Sequence, residues 1–221
     1  MSLRRLECSM TKRYTLDDFA RLFDHTNLQP DATDADMRKL CDEALENHFC
    51  MVAINSGQSA RCHTTLEGTD IHVGAAIGFP LGQTSIACKT FETKDALAAG
   101  ADEIDYVVNL TEVKEGNWTY VTEEMRSIVD ARREETDRRS VLVPSKVIFG
   151  NCLLTRDEKL KLCEIAREVE PTWHITARCA APPGSARPGH DTVANRDCLA
   201  GDGRPCRRSY RGASGRPRPS S

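Results

Sequence analysis

Two charged residues stand where apolar side chains are expected. Ile104-Asp105-Tyr106-Val107-Val108-Asn109 has the alternation of a short strand, with Ile104, Tyr106 and Val108 on one face and Asp105, Val107 and Asn109 on the other. A parallel strand covered on both sides is apolar on both. An anion buried there is costly unless a cation or hydrogen-bond donors meet it. Further on, Lys146 interrupts the apolar run Val141-Leu142-Val143-Pro144-Ser145-Lys146-Val147-Ile148-Phe149. If the two strands are neighbours, with both residues near the C-terminal ends, Lys146 lies beside Asp105. Such a pair costs less to bury than either charge alone, and it can move a proton. Spacing alone fits a plain internal ion pair holding two strands in register at least as well. It also allows Asp105 to reach water from a strand end.

The elements that must place these residues alternate along the chain. Residues 15–23 read as a short capped amphipathic helix leading into Phe23-Asp24-His25-Thr26-Asn27-Leu28, which Pro30 ends. Thr33 can N-cap a helix through about His48, with Met37, Leu40, Cys41, Ala44 and Leu45 at helical spacing. Cys50-Met51-Val52-Ala53-Ile54 reads as a buried strand, residues 56–66 as a weaker helix, and His72–Ile77 as another strand. That strand ends in Gly78-Phe79-Pro80-Leu81-Gly82, a tight loop of the kind that brings backbone close to a ligand. A helix over 85–99 runs to a glycine stop at Gly100, ahead of the Asp105 strand. A helix near 121–135 precedes the Lys146 strand. Thr155 then caps a helix whose expected inward stripe is Leu160, Cys163, Ile165 and Ala166.

Five strands in this register precede residue 150, and a sixth fits 173–177. Short strands alternating with helices of about 10–15 residues signal βαβ units and a parallel sheet. An eight-stranded β/α barrel and an open doubly wound sheet both begin this way. No G-x-G-x-x-G follows any strand, which counts against a dinucleotide site.

With 221 residues the chain can bury one sizeable core, and by length a single α/β domain fits as well as two small ones. A net charge of −3 makes no global field to recruit nucleic acid or membrane. The ten cysteines fall at irregular intervals with no secretory signal, so they read as reduced cytosolic thiols rather than a disulfide framework. No apolar run approaches the roughly 18 residues of a membrane span. The N-terminus is no targeting peptide; residues 1–14 read as an extension, with Met10 an alternative start. Beneath the average lies a break. Residues 171–221 hold nine arginines, no lysine, no glutamate and seven of the ten prolines.

Four motifs then carry a resemblance. Asp24-His25-Thr26-Asn27-Leu28-Gln29-Pro30-Asp31-Ala32-Thr33 is the first, and Ile77-Gly78-Phe79-Pro80-Leu81-Gly82 the second. Gly100-Ala101-Asp102-Glu103-Ile104-Asp105 is the third. The fourth is Lys146-Val147-Ile148-Phe149 with Cys152-Leu153-Leu154-Thr155. In order and spacing, over about residues 15–170, they strongly resemble the deoxyribose-phosphate aldolases. The resemblance implies a TIM-type (β/α)8 barrel and a cytoplasmic class I aldolase, a lyase using no metal or other cofactor. Its implied partners are small aldehyde and sugar-phosphate substrates and, in a homodimer, a second copy. The implied reaction is reversible cleavage of 2-deoxyribose 5-phosphate into glyceraldehyde 3-phosphate and acetaldehyde, in deoxyribonucleotide catabolism. By resemblance Asp105 belongs to the proton relay, Lys146 is a supporting cation beside it, and Asp24 helps to hold the polar network. Cys50 and Thr26 are the implied substrate contacts, although Cys50 by its chemistry alone reads as an inert buried thiol.

The family pattern stops short. Its Schiff-base lysine lies on the sixth strand in a pattern like F-[IV]-K-T-S-T-G, where this chain has Pro171-Thr172-Trp173-His174-Ile175-Thr176-Ala177-Arg178, and no lysine follows Lys161. The seventh strand's V-K-A-S-G-G-[IV] is also missing, and Gly150-Asn151 stands where Glu-Thr is usual. Residues 15–177 are therefore expected to form an incomplete barrel, and 178–221 a disordered tail rich in Arg, Pro and Gly. So abrupt a departure points to a reading-frame change near residue 170, which sequencing the DNA there tests. The chain as written is expected to be inactive. Two other readings stand beside this one: a non-catalytic barrel fragment, and an anion- or nucleic-acid-binding protein acting through the basic tail. The second is disfavoured, since a solvated tail needs nothing more than these arginines. Cys179, Cys198 and Cys206 with His174 and His190 have no zinc spacing, so no metal site is expected.

Overall fold

The computed structural model describes residues 15–169 and the backbone of 173–175; the expected extension 1–14 and tail 178–221 lie outside the described residues. Helices and strands alternate as α1 (Leu16–Ala20), β1 (Asp24–Asn27), α2 (Asp34–Glu46), β2 (Met51–Asn55), α3 (Ser59–Leu66), β3 (His72–Ile77), α4 (Ile86–Ala98) and β4 (Glu103–Val107). They continue as α5 (Leu110–Lys114), α6 (Trp118–Arg139), β5 (Ser145–Ile148), α7 (Arg156–Val169) and β6 (Trp173–Ile175). The six strands make one parallel sheet in the order β1 to β6. Local chemistry sets the helix starts: Thr15 and Thr33 each close a capping box, and Ser85 accepts from the Cys88 N–H.

Period-two alternation sorts each strand into two faces. The outward residues Val52, Ile54 and Val73 pack with Met37, Leu40, Cys41, Cys62 and Leu66 of α2 and α3. Ile77, Ile104, Tyr106, Val108, Val147 and Phe149 pack with Leu97, Met125, Ile128, Leu162 and Ile165 of α4, α6 and α7. Each large aliphatic side chain buried this way contributes about 1.5–3 kcal/mol. The opposite face is polar at its centre, and it shows how the sheet bends. Lys146 Nζ on β5 lies 3.3 Å from Asp24 Oδ2 on β1, although three strands separate them. In a flat sheet those strands are about 19 Å apart, well beyond a lysine's reach. The sheet is therefore curled, as in a (β/α)8 barrel rather than an open doubly wound sheet.

Several expected boundaries move. Val141 and Leu142 are 61% and 57% exposed, and β5 begins only at Ser145. Helix α6 extends to Arg139, beyond the expected 121–135, because tertiary partners hold its end. Arg139 pairs with Glu135 and donates to the Ala101 carbonyl at 3.0 Å, so the chain turns later and the apolar 141–142 pair falls in the connection. On α7, Leu160 is exposed and Leu162 takes its inward place with Ile165, Ala166 and Val169. Leu45 sits at the rim of α2. The short helix α5, started by the Asn109 side chain, was not indicated by apolar spacing. Cys41, Cys50, Cys62, Cys88 and Cys163 are outside any disulfide, whereas Cys152 is disulfide-bonded, against the reading of all cysteines as reduced. Among the described residues no helix is long and apolar enough to cross a membrane.

Candidate active site

Strand register sets Asp105 directly beside Lys146 on the inner face of the sheet. Lys146 Nζ lies 2.9 Å from Asp105 Oδ1 and donates to Oδ2 at 3.0 Å. Two further carboxylates converge on the same ammonium, Glu103 at 3.2 Å and Asp24 at 3.3 Å. Met51 Sδ lies 3.5 Å away. The ammonium is all but sealed, at 2% exposure, while Asp105 keeps 14% and Asp24 27%. Both Asp105 and Lys146 occupy the middle of their strands rather than the C-terminal ends expected of them. The cluster therefore sits within the curl of the sheet, below the loops.

Electrostatics give the two residues different tasks. Burial pushes the Asp105 carboxyl up to about 6 against the lowering pull of Lys146, and the charges of Glu103 and Asp24 push the same way as burial. Burial works against the Lys146 ammonium, but Asp105, then Glu103 and Asp24, outweigh it and hold the amine above its usual range. The arrangement is an acid that can gain and lose a proton near neutral pH, beside a cation that keeps its own. Such a pair can pass a proton through Asp105, while an amine held charged does not attack a carbonyl.

The walls of the site are held from behind by a second buried charge pair. Lys89 on α4 and Glu124 on α6 are fully buried and 2.6 Å apart. Lys89 also donates to the Val107 carbonyl at 2.7 Å, and Glu124 accepts the Asn109 N–H at 2.9 Å, so the pair clamps the end of β4 two to four residues beyond Asp105. One turn along α4, Glu92 accepts from Ser56 Oγ at 2.7 Å and from the Gly78 N–H at 2.9 Å. The loop after β3 closes through the Gly82 N–H to the Gly78 carbonyl at 2.7 Å. Gly82 has φ +68°, and a Cβ there would stand 2.2 Å from the Val108 carbonyl oxygen. On the inner face, a Cβ on Gly74 would stand 2.5 Å from Met51 Sδ, so glycine there makes room for Met51.

Of the residues singled out in the sequence, Asp24, Asp105 and Lys146 meet in one cluster. Thr26 shares the inner face of β1, is exposed, and donates to the Asp24 carbonyl at 2.8 Å. Cys50 lies just ahead of β2, buried against Met51 and Ala53 at the end of the strand away from the loops. Four residues were missed. Glu103 precedes Asp105 by two, so strand alternation already puts both on one face. His72 reaches Glu103, with Nδ1 3.5 Å from Oε1. Lys89 and Glu124 fall on the apolar stripes of their helices, a charge at an inward helical position being the signal available. Among the described residues no group of three His, Cys, Asp or Glu could hold a metal ion. The three carboxylates that do converge are met by Lys146.

Comparison with known proteins bears on the same stretch. Residues 19–135 match the model of the DeoC/LacD family aldolases. A deoxyribose-phosphate aldolase of Lactobacillus acidophilus is 58% identical over 165 residues, covering 75% of this chain and 67% of that protein. One from Clostridium perfringens is 43% identical over 149 residues, 67% of this chain and 63% of its own length. The tetrameric deoxyribose phosphate aldolase structure from Aeropyrum pernix aligns with a TM-score of 0.63 at 27% identity, over 72% of this chain and 64% of that one. The chain thus spans about two thirds of the length of these relatives.

Proposed function

This chain belongs to the DeoC/LacD aldolase family, and from that membership we propose that its inner-face cluster is the proton-relay half of a deoxyribose-phosphate aldolase site. The reaction is reversible cleavage of 2-deoxyribose 5-phosphate to glyceraldehyde 3-phosphate and acetaldehyde. In class I chemistry a neutral lysine amine attacks the carbonyl, and the resulting iminium withdraws electrons as the carbon–carbon bond breaks. The enamine left behind must then be protonated by a placed acid. Asp105 suits that task, because burial and its carboxylate neighbours lift its carboxyl to about 6, next to a fixed cation. This is the observation that carries the reading. Asp24 completes the polar network. Thr26 is a substrate contact that the resemblance supplies; the resemblance gives Cys50 the same task, but its burial at the end of β2 away from the loops fits an inert thiol instead.

The same geometry argues that this chain does not itself turn over the sugar phosphate. Attack needs an unprotonated amine, and three carboxylates within 3.3 Å keep Lys146 charged. No lysine follows Lys161 to take the family's place on the sixth strand. A displacement of about 1 Å from the reacting carbon can cost roughly 10²-fold, so a lysine on the wrong strand is a poor substitute. Borohydride trapping with acetaldehyde or deoxyribose 5-phosphate, followed by peptide mass mapping, tests this, with the L. acidophilus relative run alongside. The expected result is no reduced adduct on this chain and no turnover. An adduct on Lys146 together with turnover that Lys146→Met abolishes would make it an aldolase with a relocated nucleophile.

A further inference from the structure

Away from the charged cluster, two of the cysteines that lie outside any disulfide meet each other. Cys41 on α2 and Cys62 on α3 are fully buried in one apolar cluster with Met37, Leu40, Val52 and Leu66. A side-chain hydrogen bond joins thiol to thiol. We propose that Cys41 and Cys62 are a modification site: a dithiol that hydrogen peroxide converts to a disulfide, stapling α2 to α3. The aldolase reading gives neither residue a task, so this site stands or falls apart from it.

Placement makes the case. A single buried thiol behaves as a small hydrophobe and is inert. Here two thiols come from different helices, 21 positions apart in sequence, and touch across the helix pair. Sulfurs within hydrogen-bond reach have little further to move to the roughly 2 Å of a disulfide. Holding two reacting groups together also favours the bond between them over a bond to any third group. Cys50 lies apart, in a cluster with Met51 and Ala53, and Cys88 is exposed on α4. Access comes through α3. The Thr33 capping box closes the start of α2, whereas α3 has eight residues and begins at Gln58 without a side-chain cap. A short helix without a cap is marginal by itself. Its outer face, with Ala60, Arg61, His63, Thr64 and Thr65, is exposed. It is therefore the member of the pair that opens to a small neutral oxidant. Peroxide oxygen adds to one sulfur, giving a sulfenic acid as the O–O bond breaks and one water leaves. The neighbouring thiol attacks that sulfur, the S–S bond forms, and the second water leaves. Two thiols have then given up two hydrogens and two electrons, which the peroxide has taken.

The test is graded hydrogen peroxide treatment of the whole folded chain, followed by blocking of remaining thiols and tandem mass mapping. Exposed Cys88 reports the dose, since exposure sets how readily a thiol is oxidised. The expected product is a Cys41–Cys62 disulfide, short of two hydrogens. Because it closes a loop of about 20 residues, the melting temperature should rise by about 5–10 °C. Cys62→Ala, treated alongside, should show no such rise. Recovery of Cys41 and Cys62 as thiols after Cys88 has been oxidised overturns the proposal, as does a bridge from either one to a third cysteine. Should Cys62→Ala not fold, the mass map of the native chain decides by itself.

Discussion

At the scale of single residues, the chemistry turns on which charged form each side chain holds. The folded-state carboxyl of Asp105 lies near 6 against 3.8 for a free one, so the folded chain binds more protons than the unfolded chain between those values. Stability contributed by this group therefore falls as pH rises through that window and levels off above it. Asp105→Asn removes the dependence. Urea melts at pH 4, 5, 6 and 7 should show native stability, relative to the variant, dropping by up to about 3 kcal/mol across the window. A flat difference would mean that Asp105 is ionised throughout. Lys146→Met acts in the opposite sense, since it removes the buried cation on which three carboxylates converge. It should cost about 3–5 kcal/mol at pH 7, and less at pH 5, where protonation discharges the cluster. An equal loss at both values would point to packing rather than charge.

At the scale of elements, α4 and α6 act as a brace behind the strand that carries Asp105. Burial pushes Lys89 down and Glu124 up, toward their neutral forms, and each pulls the other back toward its charged form. Removing one partner leaves the other buried and unmatched, so Glu124→Leu should cost about 3–5 kcal/mol. The double variant Lys89→Met with Glu124→Leu should recover only part of that loss. Both charges are then gone, but the Val107 carbonyl and the Asn109 N–H remain without partners, at about 1–3 kcal/mol each. Full recovery in a double-mutant cycle followed by urea unfolding would show that the two backbone contacts carry no weight. The loop after β3 answers to sterics instead. Gly82→Ala meets a backbone carbonyl at 2.2 Å in a left-handed conformation, so thermal melting should show a loss of about 1–3 kcal/mol or more. An unchanged melting temperature would mean that the loop relaxes freely.

At the scale of the whole molecule, burial is uneven around the sheet. Helix α1 has no buried residue and β1 is only half covered, whereas β3 and β4 are buried nearly throughout between α3, α4 and α6. Local opening follows contact density. Native-state hydrogen exchange should therefore release the amides of α1 and β1 first and those of β3 and β4 last. Because Asp24 sits on β1, the Lys146 cluster is then joined across the least and most protected strands. Equal protection of β1 and β4 would show the sheet opening as one unit.

Much of this was legible along the chain because the forces involved are local. Caps at Thr15, Thr33 and Ser85 act over three residues, strand alternation over two, and helical stripes over three or four, so six strands and most helices could be placed from spacing. Glu103 was open to the same logic. The errors fall where distant contacts override local pattern: Arg139 ties α6 to the turn before β4 and displaces the apolar Val141-Leu142 pair from its expected strand. The choice between barrel and open sheet could not be made from spacing, because both begin with the same βα units. Curvature decided it, by bringing Asp24 to Lys146 across 122 positions of sequence. The protonation states followed, since a carboxyl shifts only when burial and its neighbours are both known. The sequence by itself determined which residues alternate, cap and carry charge. Only the curled sheet decided that three carboxylates share one buried ammonium, because that depends on distances the linear order does not contain.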